Sequence, residues 1–270
     1  MTPAPATPVE ILGVRVHAQT LHGAVDTIGR WIDRGDPHYV CVTGVHGVVE
    51  CQRDDDLRRI HNEAGMVTTD GMPLVWLSRR RIGDRRRIER VYGPDLMLES
   101  FARSEVTGWR HFLYGSTRGT LDRLRRNLRA RIPRAQVVGA ISPPFRPLTA
   151  DEDADVTASI ARARPDIVWV GMSTPKQERW MADHVDRLGV PALVGVGAAF
   201  DFHAGVTPQA PRWMQTSGLE WAYRLGREPR RLAGRYLRNN PRFVWLLARE
   251  ALRGRTGATT RTTQRDDSSP

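Results

Sequence analysis

The sequence is poor in the features that mark a membrane-spanning, secreted or zinc-binding protein. No run of about 18 apolar residues occurs, so no helix is expected to cross a bilayer. The opening residues, MTPAPATP, lack the apolar core of a secretory signal. Cysteine is limited to Cys41 and Cys51, which have no metal-ligand spacing and read as reduced thiols of a cytosolic protein. The eight histidines form no HxH or HExxH array. Asp54-Asp55-Asp56 and Asp153-Ala154-Asp155 match an Asp-x-Asp pattern. No apolar strand presents either group, so helix-dipole and solvation roles are expected of them and no bound metal.

Negative charge is also scarce. Lys+Arg outnumber Asp+Glu 41 to 30, for a formal net charge of +11 and a pI near 10.9. Lysine contributes little to that excess, which is mostly arginine, the side chain that matches phosphate by bidentate hydrogen bonds. Such a surface favours polyanions: nucleic acid, an anionic membrane face or a phosphorylated substrate. A chain of 270 residues is long enough for one large α/β domain with a small appendage.

Strand and helix patterns alternate along the chain. Strands are expected at Tyr39–Thr43, Met66–Thr69, His111–Tyr114, Gln136–Ile141, Ile167–Gly171 and Pro191–Gly195. Helices are expected after Thr43 to about Ile60, from Pro73, from Gly115-Ser116-Thr117 to about Arg131, over Asp151–Arg164, and after Thr174. Ser78–Arg90 reads as a basic surface loop. The alternation predicts an α/β fold, a mostly parallel Rossmann-like sheet flanked by helices. Residues 1–8 and 254–270 read as disordered tails, 9–208 as the α/β domain, and 209–253 as a basic helical appendage. Residues 212–242 hold eight arginines and two acids, Glu220 and Glu228. Arg224, Arg227, Arg231, Arg235, Arg238 and Arg242 recur at helical spacing, with Pro229 expected to divide the helix.

The stretch PDIVWVGMSTPKQERWM (165–181) organises the rest. Ile-Val-Trp-Val is too apolar for a strand with one wet face and suits the centre of a parallel sheet. Thr174 then looks like an N-cap, with Pro175 at the first helical position and Gln177 at the third. A strand feeding a helix N-terminus at the carboxyl edge of a sheet is where phosphates bind, and Lys176 adds a mobile charge there. Spacing alone leaves open that Thr-Pro-Lys-Gln is only a helix start.

Asp70, at the end of a short strand, is a candidate general base toward a sugar hydroxyl; an Asx-turn before Gly71 is the alternative. Thr43 is placed either to orient a substrate or to cap the next helix. Asp201 follows Gly195 and Gly197, two glycines that permit close backbone approach to a ligand. With these, Gly71, Gly115, Gly171, Lys176, Gln177 and Gly197 form the candidate donor-binding rim. Arg224, Arg227, Arg230, Arg231, Arg235 and Arg238 are candidates for contact with a diphosphate or a membrane.

Six stretches, TTDGMPLVW (68–76), RVYGPDLM (90–97), FLYGS (112–116), 165–181, GVGAAFDFHAG (195–205) and APRWMQTSGLEWAYRLGREPRRLAGRYL (210–237), resemble the WecG/TagA/CpsF glycosyltransferases, glycosyltransferase family 26. The resemblance implies an inverting sugar transfer, without metal or other cofactor, from a UDP-sugar to a saccharide on polyprenyl diphosphate at the cytoplasmic membrane face. It implies an N-acetylmannosamine-type donor, Asp70 as the base, Thr43 as the strand-end threonine, and the diphosphate-binding arginines somewhere on the run from Arg224 to Arg238. Many members carry Asn where this chain has Val45, a departure that bears on donor or acceptor identity. Members can self-associate, so a homo-oligomer is compatible with the resemblance. The rival reading, a basic nucleic-acid-binding protein, rests on charge alone and leaves the six stretches without a role.

Overall fold

The computed structural model describes residues 7–83 and 88–262, and for residues 7, 231 and 253–262 the backbone alone. The expected tail residues 1–6 and 263–270, and positions 84–87 of the basic stretch, lie outside the described residues. Two antiparallel strands, β1 (Thr7–Ile11) and β2 (Val14–Ala18), come first. Helix α1 (Leu21–Arg34) leads to β3 (His38–Thr43), and α2 (Val45–Glu50) and α3 (Asp55–Glu63) lead to β4 (Met66–Thr69). Next come α4 (Met72–Ile82), α5 (Gly93–Thr107), β5 (Arg110–Gly115), α6 (Arg118–Arg131), β6 (Gln136–Ile141), α7 (Ala150–Ala163) and β7 (Ile167–Gly171). The chain continues through α8 (Lys176–Leu188), β8 (Ala192–Gly195), α9 (Ala199–His203), α10 (Arg212–Thr216), α11 (Glu220–Arg227) and α12 (Pro229–Thr262).

Strands β3 to β8 form one six-stranded parallel sheet in the order β4-β3-β8-β7-β5-β6. The expected helix-flanked, Rossmann-like parallel sheet is therefore present. Every residue of β7 is buried, because helices cover both faces. Val168 and Val170 join a core with Met181 of α8 and Leu57 of α3. Ile167 and Trp169 point the other way, to Phe101 of α5 and Leu121 of α6, as the two-residue period of a strand requires. The ends of β3 and β4 are level, Thr43 opposite Thr69. The carboxyl edge of the sheet thus presents one row of strand-to-helix turns.

Several local expectations are corrected. β1 begins at Thr7, so residues 7–8 pair with β2 and are not tail. The helix expected from Thr43 to Ile60 is two, because Asp54 starts a new one, its carboxylate accepting the Leu57 N–H at 2.9 Å. Ser78–Ile82 is helix, the last part of α4, not loop. Leu74, Val75 and Ser78 are its buried face, a helical period that the arginines around it conceal. Thr174 does not cap α8: the helix starts at Lys176 after a cis Thr174–Pro175 peptide, and no side chain caps it. The Thr174 hydroxyl instead donates to Glu178 Oε1 at 2.8 Å. The last helix continues past residue 253 to Thr262.

Pro229 begins α12, so the expected break between α11 and α12 is present. The appendage packs on the α/β domain. Phe243 is buried in the same core as Leu57 and Val168, with Leu246 and Leu247 against it. Glu250 pairs with Arg81 of α4 at 2.7 Å.

Two of the rim glycines serve packing. A Cβ on Gly115, whose φ is +122°, would lie 2.6 Å from the Gly171 carbonyl oxygen, and one on Gly171 would lie 2.4 Å from the Phe200 ring. Gly115→Ala is therefore expected to cost about 2 kcal/mol or more. Gly119→Ala, on open helix surface, should leave stability unchanged or slightly raised. Urea midpoints of the two variants check the contrast.

Candidate active site

Above the carboxyl ends of β3, β4, β7 and β8 lies a cavity of about 800 Å³, closed on its far side by α4, α11 and α12. Thr43, Asp70, Gly71, Gln177 and Gly197 line it, so five of the rim residues expected from the sequence come together. Four do not line it: Gly115 and Gly171, which pack beneath the rim, and Lys176 and Asp201. Lys176 is exposed, its Nζ 3.5 Å from the Phe145 carbonyl. Asp201 lies in α9, its backbone carbonyl accepting from the N–H groups of Val206 and Thr207 at 2.9 and 3.3 Å.

Asp70 follows β4 directly, and its N–H donates to the Thr43 carbonyl at 3.0 Å, extending the β3–β4 ladder by one residue. Its Oδ1 accepts the Gly93 N–H at 3.1 Å. Its Oδ2 lies 3.7 Å from where a Cβ on Gly44 would stand, so the absent side chain there leaves that oxygen room. The carboxylate contact seen among the described residues is thus to Gly93, 23 residues on, and not the contact to the Met72 N–H that an Asx-turn would make. Burial pushes the Asp70 carboxyl above its ordinary range. Arg90, the Gly93 N–H and Arg224 pull it down, and Glu220 pushes it up. The net upward shift makes it a stronger base than a surface carboxylate.

Thr43 does not cap α2, whose N-cap is Gly44. Its buried hydroxyl lies 3.1 Å from His61 Nε2 and 3.3 Å from the Cys41 carbonyl. His61 Nδ1 is 2.9 Å from the Leu57 carbonyl, which assigns its proton to Nδ1 and makes Nε2 the acceptor for Thr43. Gln177 is buried, with Oε1 accepting the Gly197 N–H at 3.1 Å and Nε2 donating to Glu178 at 3.1 Å. It ties the loop after β8, where Gly197 has φ +51°, to the start of α8.

Of the appended arginines, Arg224 and Arg235 line the cavity, where Arg80 and Arg90 join them. Among the described residues, the buried Nε of Arg224 has no hydrogen-bond partner. Arg227, Arg230 and Arg238 are exposed and do not line the cavity. The side chain of Arg231 lies outside the described residues. Among the described residues, no three His, Cys, Asp or Glu side chains converge as a metal-ligand set.

Sequence reasoning passed over the residues that hold this site together. Arg90 Nη2 donates to Glu220 Oε2 at 2.6 Å, and both side chains are mostly buried. Arg90 Nε donates to the Asp70 carbonyl, and its guanidinium stacks 3.9 Å from the Tyr92 ring centroid. The Tyr92 hydroxyl donates to Glu220 Oε1 at 3.0 Å. The available signals were the RVY start of the second family-like stretch and a carboxylate standing in an arginine run. A second cross-link joins α2 to α12: Asn239 Nδ2 lies 2.6 Å from His46 Nδ1, and burial, with Arg235 adding to it, lowers the His46 pKa to about 4.

Two outcomes are expected. Glu220→Ala strands the Arg90 charge in a buried site, at a cost of about 3 kcal/mol. Amide exchange over Arg212–Arg227 should then accelerate about 100-fold, readable by mass spectrometry. Asp70→Asn keeps an acceptor for Gly93 and removes a carboxylate that resists ionisation. With the native pKa above the unfolded value, the native state holds more protons in that window, so stability falls as pH rises through it. Asp70→Asn should therefore melt no lower than the wild type at pH 7 by differential scanning calorimetry.

The chain matches the Glycosyl transferase WecG/TagA/CpsF family over residues 9–257. It is 27% identical over 173 residues to the N-acetylglucosaminyldiphosphoundecaprenol N-acetyl-beta-D-mannosaminyltransferase of Bacillus subtilis (strain 168), covering 64% of this chain and 65% of that protein. A protein of the same name from Staphylococcus aureus (strain MW2) is 29% identical over 188 residues, 70% of each chain. The alignment thus spans just under two thirds of the Bacillus relative's length. Nothing in these matches supports the nucleic-acid reading. With six sequence stretches, a parallel sheet and a carboxylate–arginine cavity all in register with that match, this chain belongs to the WecG/TagA/CpsF family of glycosyl transferases.

Proposed function

We propose that the protein is an inverting, metal-independent hexosyltransferase. It moves an N-acetylmannosamine-type sugar from a UDP-sugar to a saccharide carried on polyprenyl diphosphate, in cell-surface polysaccharide or wall-polymer synthesis. The observation that carries this reading is the shared cavity of Asp70, a carboxylate of raised basicity, with Arg224 and Arg235. The names of the relatives support the sugar and the lipid-linked acceptor.

In this reading the acceptor hydroxyl oxygen attacks the anomeric carbon on the face opposite the nucleotide, which inverts the configuration. Its proton passes to Asp70 Oδ2 as the new C–O bond forms. The bond to the β-phosphate breaks, and its electron pair leaves with UDP. Positive charge from Arg224 and Arg235 offsets the growing charge on the diphosphate, in a site where a preorganised donor is worth several kcal/mol. The unpartnered Nε–H of Arg224 suits an anionic oxygen. Thr43, held from behind by His61, keeps the end of β3 in place beside Asp70.

Attachment to the inner face of the membrane fits the same chemistry. Among the described residues, no helix is long and apolar enough to cross a bilayer. α12 instead combines exposed Arg230 and Arg238 with exposed Leu237 and Trp245. Each basic residue near an anionic surface contributes about 1 kcal/mol, enough in sum for reversible peripheral binding.

The test is a nucleotide-sugar panel with a short-chain polyprenyl-diphosphate N-acetylglucosamine acceptor, read by mass spectrometry. UDP-N-acetylmannosamine should give the product, with turnover unaffected by a metal chelator. Asp70→Asn should lower turnover by about 100-fold or more. Near-normal turnover of that variant would remove Asp70 from the role of base, and loss of activity in chelator would overturn the metal-free mechanism.

A further inference from the structure

The cavity has two chemically different ends. One holds Asp70, Arg224 and Arg235; the other is a largely hydrocarbon wall of Trp76 and Leu77 from α4, with Arg80 one turn on, and Phe243, Val244 and Leu247 from α12. A nucleotide-sugar is polar over nearly all of its length. Setting its hydroxyl or phosphate groups against such a wall without hydrogen bonds is unfavourable for each neutral group and more so for a charged one. The donor therefore accounts for the first end and leaves the second unexplained.

The wall is braced. On one side of it along α12, Asn239 is joined to His46 at 2.6 Å; on the other, Glu250 pairs with Arg81 at 2.7 Å. These anchors are about 16 Å apart along the helix, at 1.5 Å per residue. Trp76 is backed by the turn between α10 and α11, where a Cβ on Gly218 would come within 2.8 Å of its ring. The wall also opens outward: Trp76 and Val244 are 49% and 66% exposed. It is thus a held channel side that runs from the charged end of the cavity to the surface.

We propose that this wall between α4 and α12 is the subsite for the first isoprene units of the lipid acceptor. The inference rests on the acceptor class proposed above. With Arg224 and Arg235 left to the donor's diphosphate, the acceptor's parts still find partners: its carbohydrate hydroxyl at Asp70, its own diphosphate at Arg80 of α4, and its hydrocarbon at the Trp76–Val244 wall. An amphiphile with those three parts takes up the end of the cavity that the donor leaves unexplained. The chain leaves past Val244 toward the face that carries Leu237 and Trp245.

Binding tests this without turnover. In titration calorimetry with no membrane present, farnesyl diphosphate, kept below its aggregation concentration, should bind about tenfold or more tightly than inorganic diphosphate. Val244→Glu, at an exposed position, should keep the wild-type melting temperature and its diphosphate affinity but lose that preference. Trp76→Ala should weaken it in the same direction. Equal affinity for the two ligands in the wild-type protein would overturn the proposal. So would a preference that survives both substitutions. If Val244→Glu abolishes sedimentation with anionic phosphatidylglycerol vesicles yet retains the farnesyl preference, the wall is a bilayer contact and the subsite is refuted. Because no sugar is transferred, an inactive donor panel would defeat the proposed reaction and leave this measurement interpretable.

Discussion

A buried ion pair ties the two parts of the molecule into one site. Arg90 ends the basic stretch that begins in α4, and Glu220 opens the second helix of the appendage. Their 2.6 Å contact is nearly removed from water. Desolvating both charges consumes most of what their attraction returns, so the pair adds little to net stability. What it fixes is geometry. A guanidinium committed to Glu220, to the Asp70 carbonyl and to the Tyr92 ring has one orientation, and so has the backbone on which the Asp70 carboxylate stands. Misplacing α11 would leave an uncompensated charge beside the Asp70 backbone, a penalty of several kcal/mol that selects the correct docking.

The rest of the cavity follows from that docking. Once α11 is seated, Arg224 is carried into the cavity one turn after Glu220, and α12 lies across α2 and the end of α4. Phe243 then completes a core begun by the sheet, which a freely hinged tail would not do. The site is a joint product of a rigid parallel sheet, which supplies the carboxylate, and of helices, which supply the cations. Asp70 comes from the end of β4, while Arg224 and Arg235 come from the appended helices.

The elements legible in the sequence are those whose signals are local. The boundaries of β6 and β7 follow from apolar runs between polar turns, and Thr117 and the acid-rich start of α7 mark their helices through short-range caps. Asp70 was legible because a carboxylate beside a glycine at a strand end is a recognisable rim position. Other features depend on partners far along the chain. Arg90 and Glu220 are 130 residues apart, and nothing in either neighbourhood announces the other. The capping spacing at Thr174 was present but outcompeted, because Glu178 takes its hydroxyl and Gly197 takes the Gln177 amide. Gly115 and Gly171 have the composition of a ligand rim, but Gly115 packs on Gly171 of the next strand and Gly171 on the Phe200 ring of α9, neighbours that the local sequence does not announce. A helix-like arginine face was visible, but which of its members turns inward depends on where α12 is anchored.

The cross-link between Asn239 and His46 has a consequence for the setting in which such a cavity operates. An imidazole whose pKa lies near 4 stays uncharged as the surroundings drift by a unit about neutrality, and guanidinium groups do not titrate there at all. The positive field along the cavity wall is therefore constant under mild acid stress. If the proposed reaction holds, acidification would act first on the Asp70 carboxylate, whose pKa burial raises, and would slow proton removal while leaving the grip on an anionic ligand intact.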